Sequence, residues 1–235
     1  MYQRDYIMRL IEQMAQVIAQ VINKRGQALQ ERLNILNQAM KRLVGLDSRL
    51  VLGLAVRDLL ELISQGGRPD TGKALAISDM MMARGKLLKE EGASSAEQAL
   101  EEAARWVELL LRVRASEEEE TLLQEIDQRI ESGLEAIGRS PISKELLELL
   151  IPYYEETGRL AKAEDALFHR LDAEEGESPE SSEERLKLLE MSLERYEKWT
   201  KLDEDQLTIG GLSRAEVEQT REELAEMKKR IVNKR

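Results

Sequence analysis

The chain has 235 residues, of which 42% are hydrophobic, 34% charged and 3% aromatic, with no cysteine and a net charge of −11. This is the balance of a folded, helix-rich protein, and it excludes disulfides and thiolate metal sites. It also argues against nucleic acid as a partner, because neutralising phosphates needs clustered cations.

The acid is unevenly spread. Residues 1–89 carry 14 Lys and Arg against 8 Asp and Glu, whereas the remainder carries 21 against 38. Such opposite biases draw two halves together, within or between chains, or mark two solvated faces. No apolar run reaches about 18 residues and no leader-like apolar segment opens the chain, so a cytoplasmic protein that does not span a membrane is expected.

From Tyr6 to Ile22, apolar residues at Ile7, Leu10, Met14, Val17 and Val21 alternate spacings of three and four and form one helical stripe. The stripe is heptad-like, which suits a homodimer face; a first helix buried in a monomer has the same pattern, and spacing does not separate them. A second helix is predicted over about Gln27–Val44, ended by Gly45. A third is predicted from Asp47 or Ser48 to Ile63, with Leu50, Leu54, Leu59, Leu62 and Ile63 inward.

Gly66-Gly67-Arg68-Pro69-Asp70 breaks the pattern, and the next helix runs from Asp70 or Thr71 to near Gly92. Ser94 or Ser95 caps another, to about Val113. Glu117 to Glu120 sit in the first turn of the one after, where acids complement the helix dipole. Pro141 and Ser143 open a helix through Tyr154, Gly158 turns it, and its partner ends near Ala173. Residues 174–182 read as a loop, and the last helices cover about Glu183–Leu202 and Arg214–Val232, the second opened by the capping box Ser213-Arg214-Ala215-Glu216. Alternating strand patterns are absent, so the expectation is all-α.

Self-similarity adds architecture. LLKEEGASSAEQAL at 87–100 aligns with YYEETGRLAKAEDAL at 153–167, matching Gly92 to Gly158 at an offset of 66 and Ala96–Leu100 to Ala163–Leu167 at 67. That is about twice the 34-residue period of tetratricopeptide repeats. Around Gly158, Leu147, Leu150 and Tyr154 occupy first-helix packing positions, and Ala163 and Leu167 supply the small and larger residues of the second helix. The segment resembles a degenerate tetratricopeptide unit, with Glu175 where a terminal proline is usual.

The opening MYQRDYIMRLIEQMAQVIAQV, of which RDYIMRLIEQ is the most distinctive part, resembles the start of a bacterial, mainly Gram-positive, family classed as a domain of unknown function, over most of the chain. The resemblance implies a helical, repeat-like fold and transfers no activity and no functional residues.

Motifs with chemistry are few. Gly67 to Ala74 nearly spells a phosphate-binding loop, but Ala74 stands where Ser or Thr must hold Mg²⁺, and the preceding segment reads as helix rather than strand. His169, the one histidine, has no serine elbow to serve and reads as a C-terminal dipole partner or a half-buried ring. Met80 to Met82 suit a core or an adaptable surface. The pattern therefore predicts no catalytic residue, no metal and no cofactor.

The chain reads as all-α, with helical hairpin repeats forming a tetratricopeptide-like α-solenoid behind an N-terminal antiparallel helical segment: residues 1–67 as amphipathic helices, 68–235 as one continuous repeat region. The expected role is a non-catalytic protein–protein interaction module or scaffold. Glu145, Glu148, Glu155 and Glu156 would line an acidic groove for a protein or peptide with a basic segment. The alternative is a small-ligand-binding regulator or an enzyme with a pocket between helices.

Overall fold

A computed structural model describes residues 2–24, 26–174 and 179–233. They form twelve helices and one two-residue hairpin, so the protein is all-α. They divide into two compact units, Met1–Pro141 and Ile142–Arg235. The division falls after residue 141 and not at the expected 67/68, because the N-terminal helices pack on the helix that begins at residue 71.

The first unit contains α1 (Tyr2–Asn23), α2 (Leu29–Leu43), α3 (Ser48–Gly53), α4 (Val56–Ile63), the hairpin β1 (Ser64–Gln65) and β2 (Arg68–Pro69), α5 (Thr71–Glu91), α6 (Ala93–Arg114) and α7 (Glu120–Ile137). Its centre is α5, which packs against α1, α2, α6 and α7. Consecutive residues Ala74, Leu75, Ala76 and Ile77 are all buried, as expected of a helix enclosed all round.

Even its charge is accommodated. Buried Asp79 accepts from Arg129 Nε and Nη2 on α7 at 2.7 and 2.9 Å, and Glu125 accepts from Nη1 of the same guanidinium at 2.6 Å. Burial opposes the charge of Arg129, but the hydrogen bonds and attraction of Asp79 and Glu125 outweigh it and raise its pKa.

The stripe Ile7, Leu10, Met14, Val17 and Val21 is buried, and α1 packs on α5 and α2. This apolar face is used inside the chain, so the homodimer alternative for it gives way to the buried-helix one. Arg32 closes the end of α1, donating from Nε to the Val21 carbonyl at 3.1 Å and from Nη1 to Glu90 at 2.7 Å.

The helix expected over 48–63 is two helices. Leu54 and Ala55 are extended, and Arg105 of α6 donates to the carbonyls of Val51, Leu52 and Leu54, replacing the intrahelical donors those oxygens would otherwise have. The break shifts the helical phase. Val51, Val56, Leu59 and Ile63 are buried, while Leu50 and Leu62, expected inward, are 44% and 47% exposed.

The acid run also differs from expectation. α7 begins at Glu120, and Glu117 precedes it as a turn-former, accepting from the Glu118 and Glu119 N–H groups at 3.0 Å and from the Thr71 hydroxyl at 2.6 Å. The small antiparallel pair Ser64–Pro69, Gln65–Arg68 was not expected; the positive φ of Gly66 and Gly67 makes its turn.

The second unit contains α8 (Lys144–Glu156), α9 (Leu160–Asp172), α10 (Pro179–Trp199), α11 (Glu204–Ile209) and α12 (Arg214–Asn233). α8 pairs with α9 and α10 with α12. Ser143 caps α8, its hydroxyl accepting from Leu146 N–H at 3.2 Å. Gly158, at φ +69°, turns the chain into α9, where Ala163 and Leu167 are buried beneath it.

The expected capping box forms: Ser213 Oγ accepts from Glu216 N–H at 3.2 Å and Glu216 accepts from Ser213 N–H at 2.7 Å. α11 and its own capping box, Asp203 with Gln206, were missed because six residues are too few for a periodic signal. The expected loop 174–182 is shortened, since α10 already starts at Pro179; residues 175–178, with Glu175, lie outside the described residues.

Candidate functional site: a groove on the second unit

The two hairpins of this unit leave a groove of about 490 Å³ on the side of α8 and α9 that meets α10. Its floor is apolar, made by Leu149 and Ile151 of α8, Leu167 of α9, and Leu188 and Met191 of α10. Met191 is 46% exposed, a large apolar side chain left open to solvent. Glu184, Leu188, Met191 and Arg195 recur at spacings of three to four along α10 and so share the face turned to the groove. Ser192 is buried there, its hydroxyl donating back to the Leu188 carbonyl at 2.7 Å.

The rim carries Glu148, Arg170, Glu184, Lys187 and Arg195. Arg170 is the organising group. Its Nε donates to Glu148 at 3.0 Å, Nη2 lies 2.9 Å from the same carboxylate, and Nη1 pairs with Glu174, which also accepts from Lys144 Nζ at 2.6 Å. Burial opposes the charge of Arg170, yet its two carboxylates raise its pKa; the hydrogen bond from Lys144, ahead of that from Arg170, lowers the pKa of Glu174.

Further along, Glu155 accepts from Arg195 and from the Trp199 indole N–H at 3.0 Å. Burial lowers the pKa of Arg195. Tyr196, packed at a tilt of 48° against Trp199 with ring centroids 4.6 Å apart, donates its hydroxyl to Glu164. The Glu164 carboxyl is raised, chiefly by burial, and the Tyr196 phenol is raised by burial and by that carboxylate.

The four predicted glutamates thus separate. Glu148 lines the groove, 56% exposed on its side chain, but is paired with Arg170. Glu155 is half-buried and holds α10 through Arg195 and Trp199. Glu145 is exposed in the first turn of α8, where its own backbone N–H and then the Ser143 hydroxyl lower its pKa. Glu156 is exposed at the end of α8. The lining of the groove, with Arg170, Lys187 and Arg195 against Glu148 and Glu184, therefore carries one net positive charge and is not acidic.

Arg170, Arg195 and Met191 were missed by sequence reasoning. The four-residue spacing of Arg170 and Glu174, and of Lys187, Met191 and Arg195, was the available signal. His169 is exposed in the last turn of α9, and Met80 and Met81 are core residues of α5.

The groove therefore joins an apolar floor to a rim on which Glu148 is paired with Arg170, and Arg195 with Glu155. Among the described residues no group of three or more His, Asp or Glu is placed to hold a metal ion, and no helix is long and apolar enough to cross a membrane.

No curated protein and no solved structure matches the chain. Residues 1–229 match a family described as of unknown function (DUF6483), and the chain belongs to that family.

Proposed function

We propose that this member of DUF6483 is a cytoplasmic, non-catalytic interaction module of a Gram-positive bacterium, built on tetratricopeptide-like hairpins, that receives a protein segment in the groove beside α8, α9 and α10. The observation that carries the reading is Met191, 46% exposed at the groove beside half-buried Leu149 and Leu188, over buried Ile151 and Leu167. Apolar area left in water inside a concave surface is where burial by a partner gains most, at about 25 cal/mol per Å². The α8–α9 pair, with its glycine turn and buried Ala163, is what a degenerate tetratricopeptide unit would supply, and α10 packs on α12 beside it with α11 between them in the chain.

A partner segment with apolar residues for the floor and cations on its outer side fits best. Residues 142–235 hold 16 Lys and Arg against 24 Asp and Glu, a net of −8, so the surroundings favour cations outside the groove, whose own lining carries one net positive charge.

The test is a photo-crosslinking amino acid at position 191, expressed in the native host. One discrete adduct from position 191, lost in Leu149→Glu and absent when the crosslinker replaces Val232, is the expected result. No adduct from 191, or the same adducts from 191 and 232, overturns the reading.

A further inference from the structure

We propose that the first unit binds a small amphiphilic carboxylate in a cavity between α5, α6 and α7. The cavity measures about 200 Å³ and lies wholly within this unit. At roughly 30 Å³ per water-sized group it holds about seven such groups, the bulk of a short alkyl chain. Its walls are Met81 and Met82 of α5, Ala99, Ala103 and Trp106 of α6, and Ala136 of α7, with one hydroxyl, that of Ser132, which donates to the Gln128 carbonyl at 3.0 Å. Thioethers adapt to an irregular guest, and the indole supplies a flat face.

Two glycines show that the space is kept rather than forced. At Gly133 of α7 a Cβ would lie 2.2 Å from Val107 and 3.0 Å from Trp106, so close packing demands glycine there. At Gly85 of α5, which lines the cavity, a Cβ would meet nothing nearer than the Ala99 carbonyl oxygen at 3.8 Å. Glycine is a poor helix former, and nothing in the packing of α5 requires it at this position. What a side chain at position 85 would do is occupy the cavity.

The mouth sets the sign of the guest. Lys86 and Lys89, one turn apart on α5, line it together with Glu135 of α7, leaving one net positive charge. Lys89 Nζ is held by the Ala136 carbonyl at 3.1 Å. Lys86 is exposed and, among the described residues, makes no hydrogen bond or ion pair. An ammonium without a partner beside an apolar cavity complements an anionic head on an apolar tail. This site shares no residue with the groove of the second unit, so either reading can fail alone.

The full chain is titrated with sodium octanoate, and with 1-octanol as the uncharged counterpart, following tryptophan emission, since Trp106 stands in the wall. The expected result is a saturable change with octanoate, tighter than with octanol. Gly85→Leu, which fills the space and improves the helix, weakens octanoate binding by about tenfold or more while leaving Tm equal or higher. Lys86→Glu, on an exposed side chain, weakens octanoate several-fold and leaves octanol unchanged, which keeps the test decisive if leucine at position 85 disturbs the fold. Absence of saturable binding, or octanoate bound equally by wild type and both variants, overturns the proposal.

Discussion

The α5–α6 and α8–α9 hairpins share a local pattern and differ in what surrounds them. Each turns at a positive-φ glycine, Gly92 at +124° and Gly158 at +69°, and each second helix sets an alanine and then a leucine four residues on, Ala96 with Leu100 and Ala163 with Leu167. In the first unit α1, α2 and α7 also cover α5, so residues 74–81 are buried without a break and the buried Asp79 is answered by Arg129. In the second unit α8 buries Leu146, Leu147, Leu150 and Tyr154 while Leu149 and Glu148 border an open groove. The turn and the small residue specify the hairpin. The helices laid over it decide how much of its first member is enclosed.

The sharpest way to break that contrast is truncation. Leu75→Ala in α5 is expected to destabilise the protein by about 3–4 kcal/mol in urea unfolding, while Leu149→Ala, half-buried beside the groove, costs about 1 kcal/mol or less. Equal losses would mean that the two first helices do not differ. The buried charges give the next test. Asp79→Ala leaves Arg129 desolvated with Glu125 alone and should cost about 3 kcal/mol. Glu148→Ala leaves Arg170 with Glu174 and, at an exposed rim, should cost about 0.5 kcal/mol or less.

The two turns can be separated as well. Gly92, with ψ −174°, occupies a region essentially reserved for glycine, so Gly92→Ala should lower stability by about 2 kcal/mol, against about 1 kcal/mol for Gly158→Ala, as read by thermal melts.

The last test concerns pH. Burial raises the Glu164 pKa in the fold, so the native state binds this proton more tightly than the unfolded chain. Its contribution is therefore fully present below the ordinary carboxylate pKa and lost as pH rises through the raised value. Glu164→Gln, which keeps an acceptor for the Tyr196 hydroxyl without the charge, should gain about 1 kcal/mol or less at pH 7 and nothing near pH 4, measured by urea unfolding at both.

The parts of this fold legible in the sequence are those encoded by neighbours. The α1 stripe, the Ser143 cap, the capping box at Ser213 and Glu216, and the glycine turns at 92 and 158 each involve residues within one or two turns of each other. The break at Leu54 and Ala55 was invisible because neither residue forbids a helix; the group that stabilises it, Arg105, stands about fifty positions away. The groove was misread for the same reason. Glu148 and Glu155 look like free acids until Arg170 and Arg195, 22 and 40 residues on, are brought to them.

Arg105 also ties the timing of folding to the order of the chain. A six-residue helix is too short to persist alone, and α3 is closed by a guanidinium from α6. Arg105 satisfies carbonyls that the end of α3 leaves without a helical donor, so residues 48–54 are expected to reach full protection from hydrogen exchange once α6 has docked. During synthesis that places full protection of residues 48–54 after the ribosome has released residue 105, with α3 reporting on the completion of the unit rather than nucleating it.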